Sequence, residues 1–399
     1  MHKDTVVACV RISEGRTARR EVRTFGTVTR ELLLLADWLA EQDVSHVLME
    51  ATGVYWKPLW HVLESGWTLV LANAAHVKGV PGRKTDVKDA EWLADLLAHG
   101  LVRGSLVPPT EIQDLRDLTR TRRRLVQERT AHVQRIQKTL QDANIKIDSV
   151  ISDVLGMSGR AFLEAIIDGE TNPEVLAKHA SPRLKATREQ IEDALRGYPT
   201  PHHRFMLNLH LGIIANFDTA IAAIGTEVAA LLVPFRALVE HLRTIPGVSQ
   251  TMAEVLIAET GGDMAKFPNA DHLVSWAGLC ARNDVSAGKH RTNHLKPGAA
   301  WLRSALVQCA WAAARKKHSR FEALFYRVRA RGGAKKAVVA VAAEMLRCAW
   351  HVMSKSLPYA ELTLAAPDPK RREREKLRLV KKLRSLGYNA EITEAAAVA

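Results

Sequence analysis

The segment from Glu111 to about Asn144 constrains the fold of this chain more than any other. Apolar side chains recur there at three- and four-residue steps, as they do along one face of an α-helix. They are Leu115, Leu118, Leu125, Val126, Val133, Ile136 and Leu140. We therefore predict one long, coiled-coil-like helix that separates the parts of the chain before and after it.

The other faces of this predicted helix carry seven arginines and few acids. They are Arg116, Arg120, Arg122, Arg123, Arg124, Arg129 and Arg135. Two interpretations are open, a solvated charged face and a surface that contacts nucleic acid.

The charge of the whole chain favours a polyanionic partner. Its 399 residues include 57 Lys and Arg against 43 Asp and Glu, a net charge of +14. Lys and Arg that neutralise phosphates release condensed counterions, so such a surplus is typical of nucleic-acid-binding proteins.

The cysteines and the apolar runs exclude other classes of protein. The four cysteines lie far apart, so the sequence supports neither a zinc ribbon nor a disulfide framework. No charge-free apolar run reaches the roughly 18 residues of a membrane span. We therefore predict a cytoplasmic protein without a membrane partner.

Before the long helix, the pattern is that of an α/β domain. Strands are predicted at residues 5–11 and 19–25, with a turn near Gly15, and at 46–49 and 68–72; helices are predicted at 31–42, 55–65 and 86–99. After the long helix, further helical sequence runs to about His241, with a break near Gly197–Pro201. Residues 242–357 are predicted to be all-helical, and the basic segment 367–384 to be one helix or a tail that orders on binding.

The segment KTDVKDAEWLADLL brings two carboxylates to the start of a predicted helix. Asp86 and Asp89 are three residues apart and project from one face. Close carboxylates repel unless a cation lies between them, and Mg²⁺ is held by one or two carboxylates plus phosphate oxygens. The flanking Arg83, Lys84 and Lys88 suit a site for phosphates. The alternative is that the acids act as an N-cap and a first-turn charge of an ordinary helix.

Two further segments carry candidate residues. Glu50 ends the predicted strand 46–49, where ligands of open α/β sheets collect, although alone it is equally an exposed turn residue. In TIPGVSQTMAEVLIAETG, Gly247 lies in a tight turn before a helix. This pattern resembles a helix-hairpin-helix, in which turn N–H groups face a phosphate, or an ordinary joint between helices.

The segment from Trp276 to Leu306 contains a polar loop between two predicted helices. Ser286 in this loop has basic neighbours, Lys289, His290 and Arg291. Such a serine is a candidate nucleophile toward phosphate, or a hydrogen-bonding turn residue. His290 and His294 lack the partners of a zinc site.

Together these segments resemble the bridge-RNA-guided insertion-sequence transposases of the DEDD type. The matching segments are MHKDTVVACV, MEATGVYW, KTDVKDAEWLADLL, IPGVSQTMAEVLIAETG and SWAGLCARNDVSAGK. The resemblance as a whole covers residues 1 to about 357. The resemblance implies an RNase H-like domain of the RuvC type (1–105), a helical coiled-coil region (106–241), a C-terminal serine transposase domain (242–357) and a basic tail (358–399).

The resemblance also implies the roles of individual residues. Glu50, Asp86 and Asp89 are expected to be three of four acidic Mg²⁺ ligands, and Ser286 to be the nucleophile that attacks DNA. Nucleic-acid contacts are expected at Arg83, Lys84, Lys88, Gly247, Lys289 and Arg291. The implied partners are DNA, a structured non-coding RNA that selects it, and further copies of the chain, whose acids and serine meet across subunits.

One departure from the family concerns the fourth acid. The family begins with a strand of the form Gly-Ile-Asp, one variable residue, then His-Lys, whereas this sequence starts at MHKD. The first strand and its aspartate are therefore expected to be missing, and Asp4 does not take the ligand position. We expect this exact chain to be poorly stable and to have little or no catalytic activity.

The function expected from the sequence is that of a DNA transposase or recombinase. Two alternatives remain open at this stage. One is a RuvC- or RNase H-like nuclease that uses water in place of Ser286. The other is a non-catalytic nucleic-acid-binding remnant.

Overall fold

The computed structural model describes residues 1–14, 17–74, 77, 85–281, 284–286, 289–292, 294–360 and 369–389. The chain forms two compact units, Met1–Pro108 and Pro109–Ala399, called here the N-terminal and the C-terminal unit. The finer division of the C-terminal unit into three parts remains a prediction.

The N-terminal unit confirms the predicted order of strands and helices. Its elements are β1 (Thr5–Glu14), β2 (Thr17–Gly26), α1 (Thr29–Glu41), β3 (His46–Glu50), α2 (Trp56–Leu63), β4 (Thr68–Ala72) and α3 (Asp86–Ala98). β1 and β2 form an antiparallel hairpin, whose predicted turn at Gly15 lies outside the described residues. β3 and β4 are parallel, as strands joined by a helix can be.

The described strands of this unit form two separate two-stranded sheets, β1–β2 and β3–β4. One face of each sheet is covered by apolar side chains of α1 and α2, and Leu35, Trp38 and Leu63 are almost fully buried in this core. Alternate residues of β1, such as Val6 and Val10, enter the same core, which sets the register of the hairpin.

In the C-terminal unit, the predicted long helix is α4 (Thr110–Asp142). It packs along a second long helix, α8 (Pro201–Leu231), which begins after the predicted break. Arg129 of α4 bonds Asp218 of α8, whereas His132 meets His210, so the two helices run antiparallel.

Between α4 and α8 lie α5 (Met157–Ile167), α6 (Pro173–Leu176) and α7 (Arg188–Leu195). Together with the ends of α4 and α8 they form a separate apolar core, in which Ile136, Phe162 and Ile214 are fully buried. After α8 follow α9 (Arg236–Arg243), α10 (Gln250–Thr260), α11 (Ala270–Trp276), β5 (Asp284–Ser286), β6 (Lys289–Thr292), α12 (Ala300–Ala313), α13 (Arg320–Gly332), α14 (Ala334–Lys355) and α15 (Pro369–Ser385).

The prediction that residues 242–357 are all-helical is wrong in one place. β5 and β6 pair as a short antiparallel hairpin, with Val285 opposite His290 and Ser286 opposite Lys289. Strands this short carry no readable alternation, which is why the sequence suggested only a loop. Within the basic segment, residues Pro369–Ser385 form the helix α15.

Within the described residues, two helices, α8 and α14, are long and apolar enough to cross a membrane by length and composition. α14 is mostly buried among the helices of its unit, which is the usual position of a core helix. α8 has a mean hydropathy of 1.4 over its most apolar 18 residues, of which only 17% are buried. It therefore leaves an apolar face uncovered in the single chain.

The contact between α4 and α8 includes two imidazoles in direct contact. Nδ1 of His132 lies 3.2 Å from Nδ1 of the buried His210. Burial lowers the pKa of His210, and the neighbouring His132 and Arg135 lower it further. Burial and Arg135 likewise lower the pKa of His132. Both rings therefore bind protons less readily in the folded chain than in the unfolded one.

We predict that acid weakens the α4–α8 pair. The unfolded histidine pKa is about 6.5, so below that pH the unfolded chain binds more protons than the folded one. Stability is full above that value and falls as the pH drops through it toward the lower folded pKa. The free energy of unfolding, measured in urea at pH 7.5 and pH 5, should decrease, and His210→Leu should reduce that decrease.

The matched control is His202→Gln on the same helix, where the side chain is exposed. It should leave the pH dependence unchanged. An equal pH dependence in the wild type and in His210→Leu would contradict the prediction.

Candidate active site and nucleic-acid contacts

The three predicted metal ligands of the N-terminal unit line one cavity. This cavity, of about 750 Å³, lies between β1 and β3 and is closed by α1 and α3. Glu50, Asp86 and Asp89 all border it. Glu50 is the last residue of β3, opposite Ala72 of β4, as expected for a ligand at the carboxyl end of a strand.

The start of α3 separates the two interpretations of Asp86 and Asp89. The N-cap is Thr85, whose hydroxyl accepts a hydrogen bond from the Lys88 N–H. Neither aspartate is therefore needed as a cap, although both lie in the first turn, where the helix dipole favours negative charge. Asp86 is exposed and lies 3.4 Å from Nε2 of His2.

α3 is fixed on the hairpin β1–β2 by one carboxylate. Arg11 and Arg20 are opposite each other on β1 and β2, and like charges at such a pair are destabilising. Both guanidinium groups bond Asp95 of α3, Arg11 at 3.0 Å and Arg20 at 2.8 Å to each oxygen. The ion pair orients α3 and with it the first-turn aspartates.

The acids of this cavity suit a hard divalent cation only in part. Within the described residues, no three His, Cys, Asp or Glu side chains are close enough to hold one metal ion. Burial raises the pKa of Cys9, which also borders the cavity, so its thiol is neutral and a poor ligand. The oxygen donors that Mg²⁺ prefers are the carboxylates of Glu50, Asp86 and Asp89, with Glu50 still to approach the two aspartates. The imidazoles of His2 and His46 also border the cavity.

The other predicted residues of the N-terminal unit are less well defined. Lys88 is exposed in the first turn of α3. Arg83 and Lys84 lie outside the described residues.

In the C-terminal unit, Gly247 has a structural role that the sequence did not indicate. Its φ of +86° is unfavourable for other residues. A Cβ there would also lie 2.9 Å from the Cys309 carbonyl oxygen and from Ala313 of α12. The turn between α9 and α10 therefore needs glycine in order to pack on α12, whereas a phosphate contact remains a prediction.

Ser286 ends β5 and pairs with Lys289, the first residue of β6. The backbones of Ser286 and Arg291 are described, but their side chains are not, and Lys289 is exposed. At the base of the hairpin, a Cβ on Gly298 would lie 2.4 Å from the backbone nitrogen of Gly278. The two glycines thus allow the close backbone contact that anchors the hairpin to the helices.

Most arginines of α4 have neither of the roles expected for them. Arg120 bonds both oxygens of Glu259 on α10 at 2.8 Å each, and Arg122 bonds Glu254 of the same helix. Arg116 donates to the carbonyl oxygens of Ala258 and Glu259 at the end of α10. These groups are neither a solvated face nor available to phosphates, because they hold α4 on α10.

Trp301 of α12 extends this contact. The guanidinium groups of Arg120, Arg123 and Arg124 lie 5.7, 5.8 and 5.2 Å from its ring centre, within the range of cation–π attraction. Arg123 also donates to the Trp301 carbonyl oxygen at 3.0 Å. Sequence reasoning missed this role because the partners are more than 130 residues away.

Comparison with known proteins gives a consistent result for both units. Residues 1–145 match the transposase family model of the DEDD type named for IS110. Residues 239–326 match the model described as "Transposase IS116/IS110/IS902 family". The chain belongs to the IS110 family of transposases.

A relative agrees with this assignment. The transposase for insertion sequence element IS1111A from Coxiella burnetii is 25% identical over 331 residues, covering 80% of this chain and 81% of the relative. Membership of the IS110 family makes the chain a transposase, an enzyme of DNA recombination.

We predict that the ion pairs of the buried Glu259 with Arg116 and Arg120 are essential for the stability of this IS110-family transposase. Glu259→Ala should lower the free energy of unfolding by about 3–5 kcal/mol, because Arg116 and Arg120 would then be left half-buried without a counter-charge. Urea denaturation at neutral pH measures this loss.

Asp218→Ala is the matched control. Asp218 of α8 also pairs with an arginine of α4, Arg129, but at an exposed position. It should cost less than about 1 kcal/mol, as surface pairs do. Equal losses for the two variants would refute the special role of the buried pair.

Proposed function

We propose that this transposase cuts and rejoins DNA with metal-bound carboxylates of the N-terminal unit and the hydroxyl of Ser286. The observation that carries the proposal is that Glu50, Asp86 and Asp89 border one cavity. The match of this unit to a DEDD-type transposase model supports the same role.

Each of the three acids would have a separate task in that cavity. Asp86 and Asp89, one turn apart on α3, would supply the pair of carboxylates typical of Mg²⁺ sites, and Glu50 would approach from β3. The chemistry that Mg²⁺ would supply when held there is polarisation of the scissile phosphate and a lower pKa of the attacking oxygen. Lys88, in the same turn, would attract the DNA backbone.

The fourth acid of the family pattern would come with a further strand. β1 and β3 are each paired on one side only within the described strands, and both border the cavity. A strand between them would satisfy both backbone edges and carry an aspartate toward Glu50. This proposal leads us to expect low stability and low activity whenever that strand is absent.

Ser286 would attack the phosphorus, forming a transient phosphoserine bond as the DNA strand leaves, so that the bond energy is retained for rejoining. The exposed Lys289, paired with Ser286 across the hairpin, and Arg291 would neutralise charge on the phosphate. A structured RNA would select the DNA by base pairing, and the protein would contact its backbone.

The uncovered apolar face of α8 supports the proposal of a homo-oligomer. Phe205 is 64% exposed and Leu209 is 43% exposed, one helical turn apart. Helices with such a seam pair with one another to remove it from water.

We predict that Ser286→Ala abolishes DNA joining while RNA binding remains. The change removes the attacking hydroxyl and no charge. Strand transfer is measured on labelled DNA, with the guide RNA present, and RNA binding by gel shift. Ser304→Ala on α12 is the matched control and should keep full joining activity.

The assay uses both the 399-residue chain and the same chain preceded by a designed strand that carries the Gly-Ile-Asp of the family pattern. We expect joining only in the extended form. DNA cleavage that survives Ser286→Ala would favour the nuclease alternative, and binding without metal-dependent cleavage in either form would favour the non-catalytic one.

We predict that Phe205→Glu combined with Leu209→Glu converts the oligomer into monomers. Two carboxylates in the seam would have to be buried without partners on association. Light scattering coupled to gel filtration gives the mass directly. Tyr198→Glu, at a side chain that is 82% exposed outside α8, should leave the mass unchanged. An unchanged mass of the double variant would rule out α8 as the interface.

A further inference from the structure

A strongly basic part of the described chain surrounds α13. Residues 315–336 contain nine Lys and Arg but only one acid, Glu322. Glu322 accepts a hydrogen bond from the backbone N–H of His318 at 2.8 Å, and Arg320 is paired with Glu344 of α14. The remaining eight cations are exposed, and no ion pair joins them to the described part of the chain.

These cations form a continuous surface because α13 connects them. Arg315, Lys316 and Lys317 lie in the turn before α13, and Lys335 and Lys336 follow its last turn. The helix has 13 residues and is therefore about 20 Å long. Arg327 and Arg331 are exposed and lie one helical turn apart on one flank of α13, and the exposed Arg329 lies on the other flank. We call residues 315–318, the exposed side of α13 and residues 333–336 the α13 surface.

An aromatic chain crosses the middle of the α13 surface. Tyr326 is 55% exposed, and the guanidinium of Arg329 lies 6.0 Å from its ring centre. Behind it, Phe325 contacts the Tyr326 ring edge-on at 5.6 Å, and Trp311 of α12 contacts Phe325 at 5.7 Å. Trp311 is itself 40% exposed. The buried Phe325 thus holds two exposed aromatic rings beside a row of cations.

A solvated charged face explains the lysines and arginines but not the exposed rings, because contact between aromatic surface and water is unfavourable. Exposed rings beside unpaired cations are the combination that binds single-stranded nucleic acid, because bases stack on the rings while phosphates meet the cations. In a duplex the bases are already stacked on each other and paired. The rings therefore favour unpaired nucleotides.

We infer that the α13 surface binds single-stranded nucleic acid, with a base stacked on Tyr326 and the backbone following the cations along α13. The inference rests on the proposed function for its nucleic-acid partner. It assigns that contact to α13, not to α4, because most arginines of α4 are bonded within the protein.

The test measures binding of the full chain to labelled 20-nucleotide single-stranded DNA, single-stranded RNA and duplex DNA by fluorescence anisotropy at several salt concentrations. The charge variant combines Lys316→Ala, Lys317→Ala, Arg327→Ala and Arg331→Ala. It should weaken single-strand binding and reduce the salt slope by about 0.7 per lost phosphate contact. The matched control removes four other exposed cations of the C-terminal unit, Arg160, Lys178, Arg183 and Lys185, and should keep the slope.

A second variant tests the stacking. Tyr326→Ala should weaken single-strand binding about tenfold without changing the salt slope, whereas Tyr326→Phe should keep wild-type affinity. If the affinity falls for RNA alone or for DNA alone, that nucleic acid is the one that the α13 surface binds. Equal losses of affinity indicate that the surface does not distinguish ribose from deoxyribose.

Three outcomes would overturn the inference. They are unchanged single-strand binding in the charge variant, an equal loss in the matched control, and a Tyr326→Ala effect that is as large on duplex as on single strands. In each case the proposed function survives as long as the wild type binds nucleic acid. Failure of the wild type to bind any of the three probes would overturn both.

Discussion

The C-terminal unit depends on the ion pair between Arg120 and Glu259, whose side chain is only 2% exposed. A buried charge is tolerated only when it is paired and hydrogen-bonded, and Arg120 meets both of its oxygens. Arg116 completes the arrangement at the carbonyl end of α10, where the helix dipole favours a cation. Because α4 also pairs with α8, this one contact connects the long helical pair to the helices around Gly247 and the serine hairpin.

A similar arrangement holds the N-terminal unit together. Asp95 neutralises two arginines that face each other across β1 and β2, and so joins α3 to the hairpin. The catalytic proposal depends on this contact, since α3 carries Asp86 and Asp89. In both units, a single acid on a helix fixes the position of residues that the proposed chemistry requires.

Sequence patterns predicted most helices and strands, because each of these elements depends on neighbouring residues in the chain. The period of the apolar residues gave α4 within two residues of its ends, and the short apolar runs gave β3 and β4. The hairpin that contains Ser286 was not predicted, because strands of three and four residues have too few positions to show a period. The ion pairs of the α4 arginines were not predicted, because only the tertiary fold brings Glu254 and Glu259 next to them.

For the candidate site, helical spacing predicted that Asp86 and Asp89 lie together, whereas Glu50 was added only by the resemblance to the family. Asp86 and Asp89 are neighbours by helical spacing alone, while Glu50 joins them only through the packing of β3 beside α3. The account is tested most directly by a crystal structure of the DNA-bound transposase soaked in Mn²⁺, with anomalous scattering to locate the metal. It predicts a Mn²⁺ peak bonded to Glu50, Asp86 and Asp89 together. A cavity without metal, or carboxylates that point apart in the DNA complex, would contradict it.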